Sequence, residues 1–107
     1  MKKFRDNATG KLIEVERETK TLILKSIYNT DYYKGKNHDA FTFLDTEGNK
    51  YIYNATLNAD MTEYDTNIAK ELVFQEDKHI KLSAYFVPTE FNGEYFIYNP
   101  RLLNIEE

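Results

Sequence analysis

The sequence predicts a mainly β fold, with five strands and a single helix between the third and the fourth strand. Five segments alternate apolar and polar side chains with period two, which is the pattern of strands with one buried face. A sixth segment spaces its apolar residues three to four apart, as an amphipathic helix does. Because the chain has 107 residues, we expect all six segments to belong to one domain covering residues 1–107.

The first predicted strand covers residues 11–28, and a loop over residues 29–39 follows it. The alternation changes parity between Val15 and Leu22. Since one inserted residue turns every later side chain to the other face, this change predicts a β-bulge near residues 17–20. The loop, NTDYYKGKNHD, combines two tyrosines and two lysines with almost no aliphatic content, so it is the first candidate binding segment.

The second and third predicted strands cover residues 40–45 and 50–57 and form a hairpin. The turn between them contains Gly48, which can adopt the positive φ that a tight turn requires. In the third strand, Tyr51 and Tyr53 alternate with a second set of side chains, Ile52, Asn54 and Thr56. Either set is compatible with the core, although the apolar content favours the tyrosine set.

The predicted helix covers residues 60–74, where apolar side chains recur every three to four positions. Asp60 or Thr62 is the expected N-cap, because a short polar side chain can accept a backbone N–H there. The formal net charge of the chain is -4, and residues 60–78 account for all of it, with six carboxylates against two lysines. The polar face of this helix is therefore expected to be acidic.

The fourth and fifth predicted strands cover residues 79–87 and 94–105, and PTEFNG turns the chain between them. In the fourth strand, Lys81 and Tyr85 share the polar parity of the alternation. Pro100 lies within the fifth strand. It must occupy an edge or a break there, because proline has no N–H to donate to a neighbouring strand.

The composition excludes several kinds of protein. The sequence has no cysteine, so disulfides and cysteine-ligated zinc sites are excluded. No secretion signal precedes the first predicted strand, and no apolar run approaches the roughly 18 residues of a membrane span. We therefore expect a soluble, cytoplasmic protein that makes no membrane contact.

Catalysis has little support in the sequence. His38 and Asp39 are adjacent, but neighbours on a strand point to opposite faces. The loop carboxylates Asp31, Asp39, Asp45 and Glu47 could bind a cation only if their loops happened to cluster. The chain contains no metal-ligand spacing, phosphate-binding loop or nucleophile elbow. The sequence therefore predicts a protein that is not an enzyme and needs no cofactor or metal.

Two stretches carry a resemblance to a known family. FTFLDTEGNKYIYNA combines an apolar strand, a glycine turn and an aromatic strand, and IKLSAYFVPTEFNGEYFIYNPRLLNI forms a closing hairpin. In their order and turns, these stretches resemble OB-fold domains that bind single-stranded nucleic acid, over most of residues 11–105. The resemblance implies a five-stranded barrel. Its ligand would cross the second and third strands, between the loop after the first strand and the loop after the fourth.

The resemblance and the side-chain chemistry together give a candidate nucleic-acid interface. Single-strand binding needs aromatic rings on which bases stack and cations that follow the phosphates. The rings and cations expected near the two loops and the sheet face are Tyr32, Tyr33, Lys34, Lys36, Lys50, Tyr53, Lys81, Tyr85, Phe91, Tyr95 and Arg101. For Tyr32, Tyr33 and Phe91, packing against the protein's own core is an equally good interpretation.

The predicted function is binding of single-stranded DNA with little sequence preference, and RNA is the less favoured ligand. The composition, rich in lysine, asparagine, isoleucine and tyrosine, is typical of an AT-rich genome. An accessory role in replication, recombination or transfer of a mobile element, in a bacterium or a phage, is the expected context. The alternative is an OB-like protein-interaction module that uses the acidic helix and exposed tyrosines. Pairing of an open barrel edge with another copy, to give a homo-oligomer, also stays open.

Overall fold

The structure of the protein is a computed structural model, which describes residues 2–6, 9–33, 36–58, 60 and 62–106. For residues 30–33, 36 and 37, the description covers the backbone alone. Within these ranges the chain forms seven strands and one helix, in the order β1 (Lys2–Arg5), β2 (Leu12–Val15), β3 (Glu18–Tyr33), β4 (Lys36–Leu44), β5 (Lys50–Thr56), α1 (Asn67–Leu72), β6 (His79–Pro88) and β7 (Glu94–Glu106).

The main body is a five-stranded sheet whose hydrogen bonding closes into a ring. Its strands follow the order β3–β4–β5–β7–β6, and β6 pairs in turn with β3. Neighbouring strands are antiparallel except β5 and β7, which run parallel where Lys50–Ile52 pairs with Glu94–Phe96. The predictions of a mainly β fold and of one helix between the third and fourth strands of the main sheet are confirmed.

Alternate side chains of the ring strands point inward and form one apolar core. Burying each large apolar side chain of this kind contributes roughly 1.5 to 3 kcal/mol, so the core is the main source of stability. The helix α1 adds Ala69 and Leu72 to this core. The largest fully buried side chains are Phe41, Phe43, Leu22, Leu24, Leu72, Ile80, Leu82 and Val87.

The first predicted strand, residues 11–28, is wrong as a single element. It is divided between β2, which pairs with β1 in a separate two-stranded hairpin, and β3, which belongs to the ring. The change of parity that predicted a bulge near residues 17–20 marks this change of sheet. Gly10, with φ of +74°, lies in the connection between β1 and β2 and supplies a backbone conformation that other residues rarely adopt.

The predicted loop over residues 29–39 is largely strand. β3 continues to Tyr33, and β4 begins at Lys36, so the two strands form an extended hairpin. β4 leaves its pairing with β5 at His38 and Thr56, and beyond that pair it is bonded to β3 alone. The tyrosines and threonine of this segment favour an extended backbone, which explains why the hairpin continues through it.

The helix is much shorter than predicted. α1 covers Asn67–Leu72, whereas the alternation of apolar residues predicted residues 60–74. Upstream of α1, Asn58 Oδ1 accepts the backbone N–H groups of Thr62 (2.9 Å) and Glu63 (3.4 Å). Asparagine side chains compete in this way with the backbone bonds of a helix, so the chain forms a turn held by a side chain instead of two helical turns.

The predicted capping residues are also wrong. The N-cap is Thr66 rather than Asp60 or Thr62, and its side chain makes no capping hydrogen bond. No acidic residue lies in the first turn of α1, and Glu71 is the one carboxylate within the helix. Most of the acidity of residues 60–78 is therefore carried by the flanking turns and not by a helix face.

Candidate nucleic-acid interface

The tyrosine parity of β5 faces the core. Tyr53 is 8% exposed, and its hydroxyl lies 2.9 Å from the hydroxyl of Thr66. Burial raises the pKa of Tyr53, because a phenolate would lose its hydration there. The stacking role expected for Tyr53 is corrected by this placement: the ring is enclosed by protein and belongs to the core.

Tyr95 also faces the interior of the ring of strands. It is half-buried against the core, and its ring stacks on Tyr51 with a centroid distance of 5.1 Å and an interplanar angle of 15°. Tyr95 therefore does not share a surface with the outward-facing residues of β7. Because Tyr95 is half-buried rather than fully enclosed, its expected contact with nucleic acid stays a prediction.

The hairpin between β3 and β4 contains four of the predicted site residues. Tyr32, Tyr33 and Lys36 lie on its strands, and Tyr33 pairs with Lys36 in the backbone register. The side chains of these three residues, and the whole of Lys34, lie outside the described residues. Their contribution to binding stays a prediction.

Three other predicted site residues lie together on the outer face of β6 and β7. Tyr85 pairs with Tyr98, and two positions along β6 Ser83 pairs with Arg101. Lys81 follows on the same face of β6, opposite Asn104 on β7. Because paired residues of an antiparallel ladder point to the same side, Tyr85, Arg101 and Lys81 share one surface.

Four aromatic rings follow one another across this surface. Phe96 and Tyr98 of β7 have centroids 6.4 Å apart, and Tyr98 stacks on Phe4 of the N-terminal hairpin at 4.9 Å. Phe4 contacts Tyr85 in turn, at 5.3 Å. We call Phe96, Tyr98, Phe4 and Tyr85 the aromatic row. Tyr98 is 39% exposed, so the row is accessible from solvent at its centre.

Two cations lie against one end of the aromatic row. The Arg17 guanidinium is 4.7 Å from the Tyr85 ring centroid and donates hydrogen bonds to the carbonyl oxygens of Ser83 (2.7 Å) and Asn99 (3.0 Å). Lys2 Nζ lies 5.8 Å from the ring centroid of Phe4. Neither cation takes part in the ion pairs found among the described residues, so both charges are available to an anion.

The opposite end of the row is acidic. Phe91, 60% exposed, lies in the turn between β6 and β7, where its N–H bonds to the Thr89 hydroxyl at 3.0 Å. With Phe96, it lines a shallow pocket of about 320 Å³ that also contains Glu90 and Glu94. Phosphate contacts are therefore favoured at the Arg17 end of the row and disfavoured beside Phe91.

Lys50 is a predicted phosphate contact that lies away from the aromatic row. It occupies the start of β5, half-buried, and its register partner on β7 is Glu94. A carboxylate at the neighbouring strand position reduces the attraction that this lysine offers a phosphate. The arrangement gives less support to Lys50 as a phosphate contact than to Lys81 and Arg101.

The sequence pattern did not single out the residues of the aromatic row and the cations beside it, namely Phe4, Lys2, Arg17, Tyr98 and Phe96. Phe4 and Lys2 precede the first segment with clear alternation, so no strand was expected there. The signals available were the extended KKFR segment and the glycine that separates it from LIEV. Tyr98 and Phe96 share a parity on the last strand, and that parity is now shown to face outward.

Asp39 of β4 is held in structural contacts. Asp39 accepts hydrogen bonds from Tyr64 Oη at 2.6 Å and from Asn29 Nδ2 at 2.9 Å. These contacts account for the half-buried position of Asp39 without a catalytic pair with His38. Among the described residues, no group of three or more histidine or carboxylate side chains is placed to hold a metal ion.

Within the described ranges, no helix is long and apolar enough to cross a membrane. No model of a known protein family, no curated protein and no solved structure matches this chain.

Proposed function

We propose that the protein binds single-stranded nucleic acid along the aromatic row. The observation that carries this proposal is the continuous series of four rings, with Arg17 and Lys2 at one end. The flat faces of the bases stack on such rings whatever the base. The cations attract the phosphates that link the nucleotides. Binding of this kind has little sequence preference, and single-stranded DNA is the expected ligand, with RNA as the second choice.

The strand arrangement supports the inference that the ring is an OB-fold. Five strands close the ring, and α1 connects its third strand, β5, to its fourth, β6. In OB-folds that bind oligonucleotides, the ligand lies across the second and third strands and touches the loop after the fourth. In this protein these elements are β4, β5 and the turn that contains Phe91.

The outer face of β4 and β5 offers little for a base to stack on. Its central side chains, Ala40, Thr42 and Ile52, are small or aliphatic and at most 8% exposed. Tyr28 of β3, 46% exposed, lies beside Ala40 at the margin of this face. We therefore place the nucleic acid farther round the ring, on the outer faces of β7 and β6, while it keeps contact with the Phe91 turn.

Fluorescence anisotropy with labelled poly-pyrimidine DNA tests this placement. Because one base stacked on an aromatic ring contributes about 1 to 3 kcal/mol, Tyr98→Ala is expected to weaken single-strand binding roughly 5- to 150-fold. Tyr28→Ala is the matched control. It removes a ring of similar exposure from the margin of the β4–β5 face, and we expect unchanged affinity.

The two variants distinguish the possible outcomes. Loss of affinity in Tyr28→Ala with normal binding by Tyr98→Ala would place the ligand on the β4–β5 face and reject the aromatic row. Absence of single-strand binding by the wild-type protein at low salt, where the electrostatic attraction is strongest, would reject nucleic-acid binding altogether. Duplex DNA and RNA of the same sequence serve as competitors that measure the preference for each form.

A protein-interaction module is the second candidate function, and one observation favours it. Phe74, two residues after the end of α1, is 79% exposed, and acidic residues such as Glu71 and Glu76 lie close to it in the sequence. A large exposed ring within a charged surround is typical of the anchor of a protein interface. Phe74→Ser would remove this anchor and leave the aromatic row intact, so it separates the two functions.

A further inference from the structure

A cavity of about 410 Å³ opens between the start of β3 and the turn that joins β4 to β5. Three aromatic rings line it. Tyr51 stacks on Tyr95 at 5.1 Å, and it meets Phe86 edge to face at 5.5 Å with an interplanar angle of 79°. All three side chains belong to the core or pack against it, so the rings form a fixed corner of the cavity.

The rest of the cavity lining is negatively charged. Glu18, Asp45 and Glu47 contribute carboxylates, against the single ammonium group of Lys20. Burial opposes ionisation of Asp45. The hydrogen bonds donated by Asn49, Tyr51 and the Glu47 N–H outweigh this effect and hold the pKa of Asp45 below its usual value. The cavity therefore keeps an excess of negative charge at neutral pH.

The cavity already holds a cation that belongs to the protein. Lys20 Nζ lies 5.5 Å from the ring centroid of Phe86 and 5.8 Å from that of Tyr51. It is also 3.7 Å from a carboxylate oxygen of Glu18. An ammonium group over two ring faces, with a carboxylate beside it, is the arrangement by which proteins bind organic cations.

We propose that this cavity binds an alkylated ammonium ion, which displaces the Lys20 side chain. The ring faces attract a cation through their quadrupoles, and the two carboxylates not enclosed by hydrogen bonds, those of Glu18 and Glu47, add a long-range attraction. An ion that carries alkyl groups suits the aromatic corner better than a hydrated metal ion does, because its removal from water costs less. The same charges disfavour phosphate, so this site is distinct from the aromatic row.

Isothermal titration calorimetry with tetramethylammonium chloride tests the proposal. Lys20→Ala removes the internal competitor and one positive charge. Its affinity for tetramethylammonium is expected to rise about fivefold over that of the wild type, a change within the range of one cation–π contact. Lys25→Ala is the matched control, since it removes an equal charge from an ion pair with Asp77 outside the cavity. Titration with sodium chloride at equal ionic strength measures the effect of screening.

A ring variant in the Lys20→Ala background completes the test. Tyr95→Leu removes one wall of the aromatic corner, and Phe86→Leu removes a ring that Lys20 contacts, so each double variant should lose the gain in affinity. Circular dichroism establishes which of the two double variants folds, and either one suffices. Equal affinities in Lys20→Ala and Lys25→Ala, or full affinity in a folded ring variant, would overturn the proposal. Neither result depends on whether the protein binds nucleic acid.

Discussion

At the scale of single residues, two tyrosine hydroxyls donate hydrogen bonds to carboxylates. Tyr64 donates to Asp39 at 2.6 Å, and Tyr51 donates to Asp45 at 2.9 Å. Burial, together with the hydrogen bond to a carboxylate, raises the pKa of Tyr51 and of Tyr64 far above the usual tyrosine value. Both side chains therefore stay protonated in the folded protein at pH values where the unfolded chain would lose those protons.

These two tyrosines make the stability of the protein depend on alkaline pH. A tyrosine whose pKa is raised by folding stabilises the folded state. This contribution is complete at pH values below the pKa of tyrosine in the unfolded chain, about 10, and it is lost as the pH rises above that pKa. Urea unfolding between pH 8.5 and 11.5 should show a falling free energy of unfolding. Tyr64→Phe should make this fall shallower, and a slope equal to that of the wild type would contradict the assignment.

Thr42 has a buried hydroxyl without a partner. Its side chain is 7% exposed on the outer face of β4, and Oγ1 makes no hydrogen bond. An unsatisfied buried polar group costs about 1 to 3 kcal/mol, so we predict that Thr42→Val increases the free energy of unfolding by about 1 kcal/mol. Thr21→Val, at an exposed position of β3, is the control and should change stability little. A destabilised Thr42→Val protein would show that the hydroxyl has a favourable contact.

The sequence predicted which residues lie in strands better than it predicted which face of each strand is buried. Period-two alternation establishes that Tyr51 and Tyr53 share a face, but it does not say which face is buried. The pattern favoured the tyrosine set as core but kept Tyr53 among the candidate stacking residues, and the structure buries Tyr53. The choice depends on which side of the sheet the ring encloses, and that is decided by pairings between strands distant in sequence.

At the scale of elements, the N-terminal hairpin depends on its contact with the ring. A two-stranded hairpin is marginally stable alone, so β1 and β2 need a surface on which to pack. Phe4 supplies this contact through Tyr98 and Tyr85, and Arg17 adds hydrogen bonds where the chain enters β3. The same residues make up one end of the proposed interface, so the proposal predicts that docking of the hairpin and binding are coupled.

Phe4→Ala should detach this hairpin without unfolding the ring. Removal of the ring leaves β1 and β2 without their main packing contact, so we expect the amide hydrogens of β1 and β2 to lose protection from exchange, while those of β5 and β6 keep theirs. Leu12→Ala is the control on the same hairpin, because Leu12 is 62% exposed. Hydrogen exchange followed by mass spectrometry measures both. Unchanged protection in Phe4→Ala would show that other contacts hold the hairpin.

The helix illustrates why element lengths were harder to predict than element types. A six-residue helix is unstable by itself, so α1 is held by the burial of Ala69 and Leu72 rather than by its intrinsic propensity. The apolar residues keep a helical spacing upstream as far as Tyr64, and for this reason the predicted helix was too long. Tyr64 does pack against the core. It lies in a turn, however, where it forms an isolated β-bridge with Leu57, and not in a helix.

At the scale of the whole molecule, the distribution of charge matters more than its sum. The net charge is -4, but the outer face of β6 and β7 carries Lys81 and Arg101, the docked hairpin adds Lys2, and the connection between β2 and β3 adds Arg17. A phosphate backbone that follows this surface meets these cations at the Arg17 end, whereas Glu90 and Glu94 lie at the opposite end. The acidity of residues 60–78 lies on a different part of the chain and is compatible with such binding.

This distribution predicts how single-strand binding responds to salt. Each phosphate neutralised by a cation contributes about 0.7 to the slope of log affinity against log salt concentration. Lys2→Ala, which removes one cation from the end of the aromatic row, should lower that slope by about this amount. Lys25→Ala is the control because its ammonium pairs with Asp77. Anisotropy titrations over a range of sodium chloride concentrations give both slopes, and an unchanged slope in Lys2→Ala would remove this residue from the interface.

The number and order of the ring strands were predictable because each strand has its own alternation and each is bounded by turn residues. The separate hairpin, the continuation of β3 through residues 29–33 and the aromatic row across β7 were not. They depend on long-range contacts, such as the packing of Phe4 on Tyr98, which leave no periodic trace in the local sequence. The expected position in the cytoplasm and the context of replication or mobile elements stay predictions.

Closure of the ring also has a kinetic consequence. β3 pairs with β4 directly after it, but the ring is complete only when Thr19 pairs with Ser83 and when β5 meets β7 in parallel. Such non-local pairings require the chain to lose much conformational entropy before stabilising contacts form. We therefore expect folding on the scale of milliseconds to seconds. We expect the hairpins, whose contacts are local, to form early, and the pairing of β3 with β6 to form late.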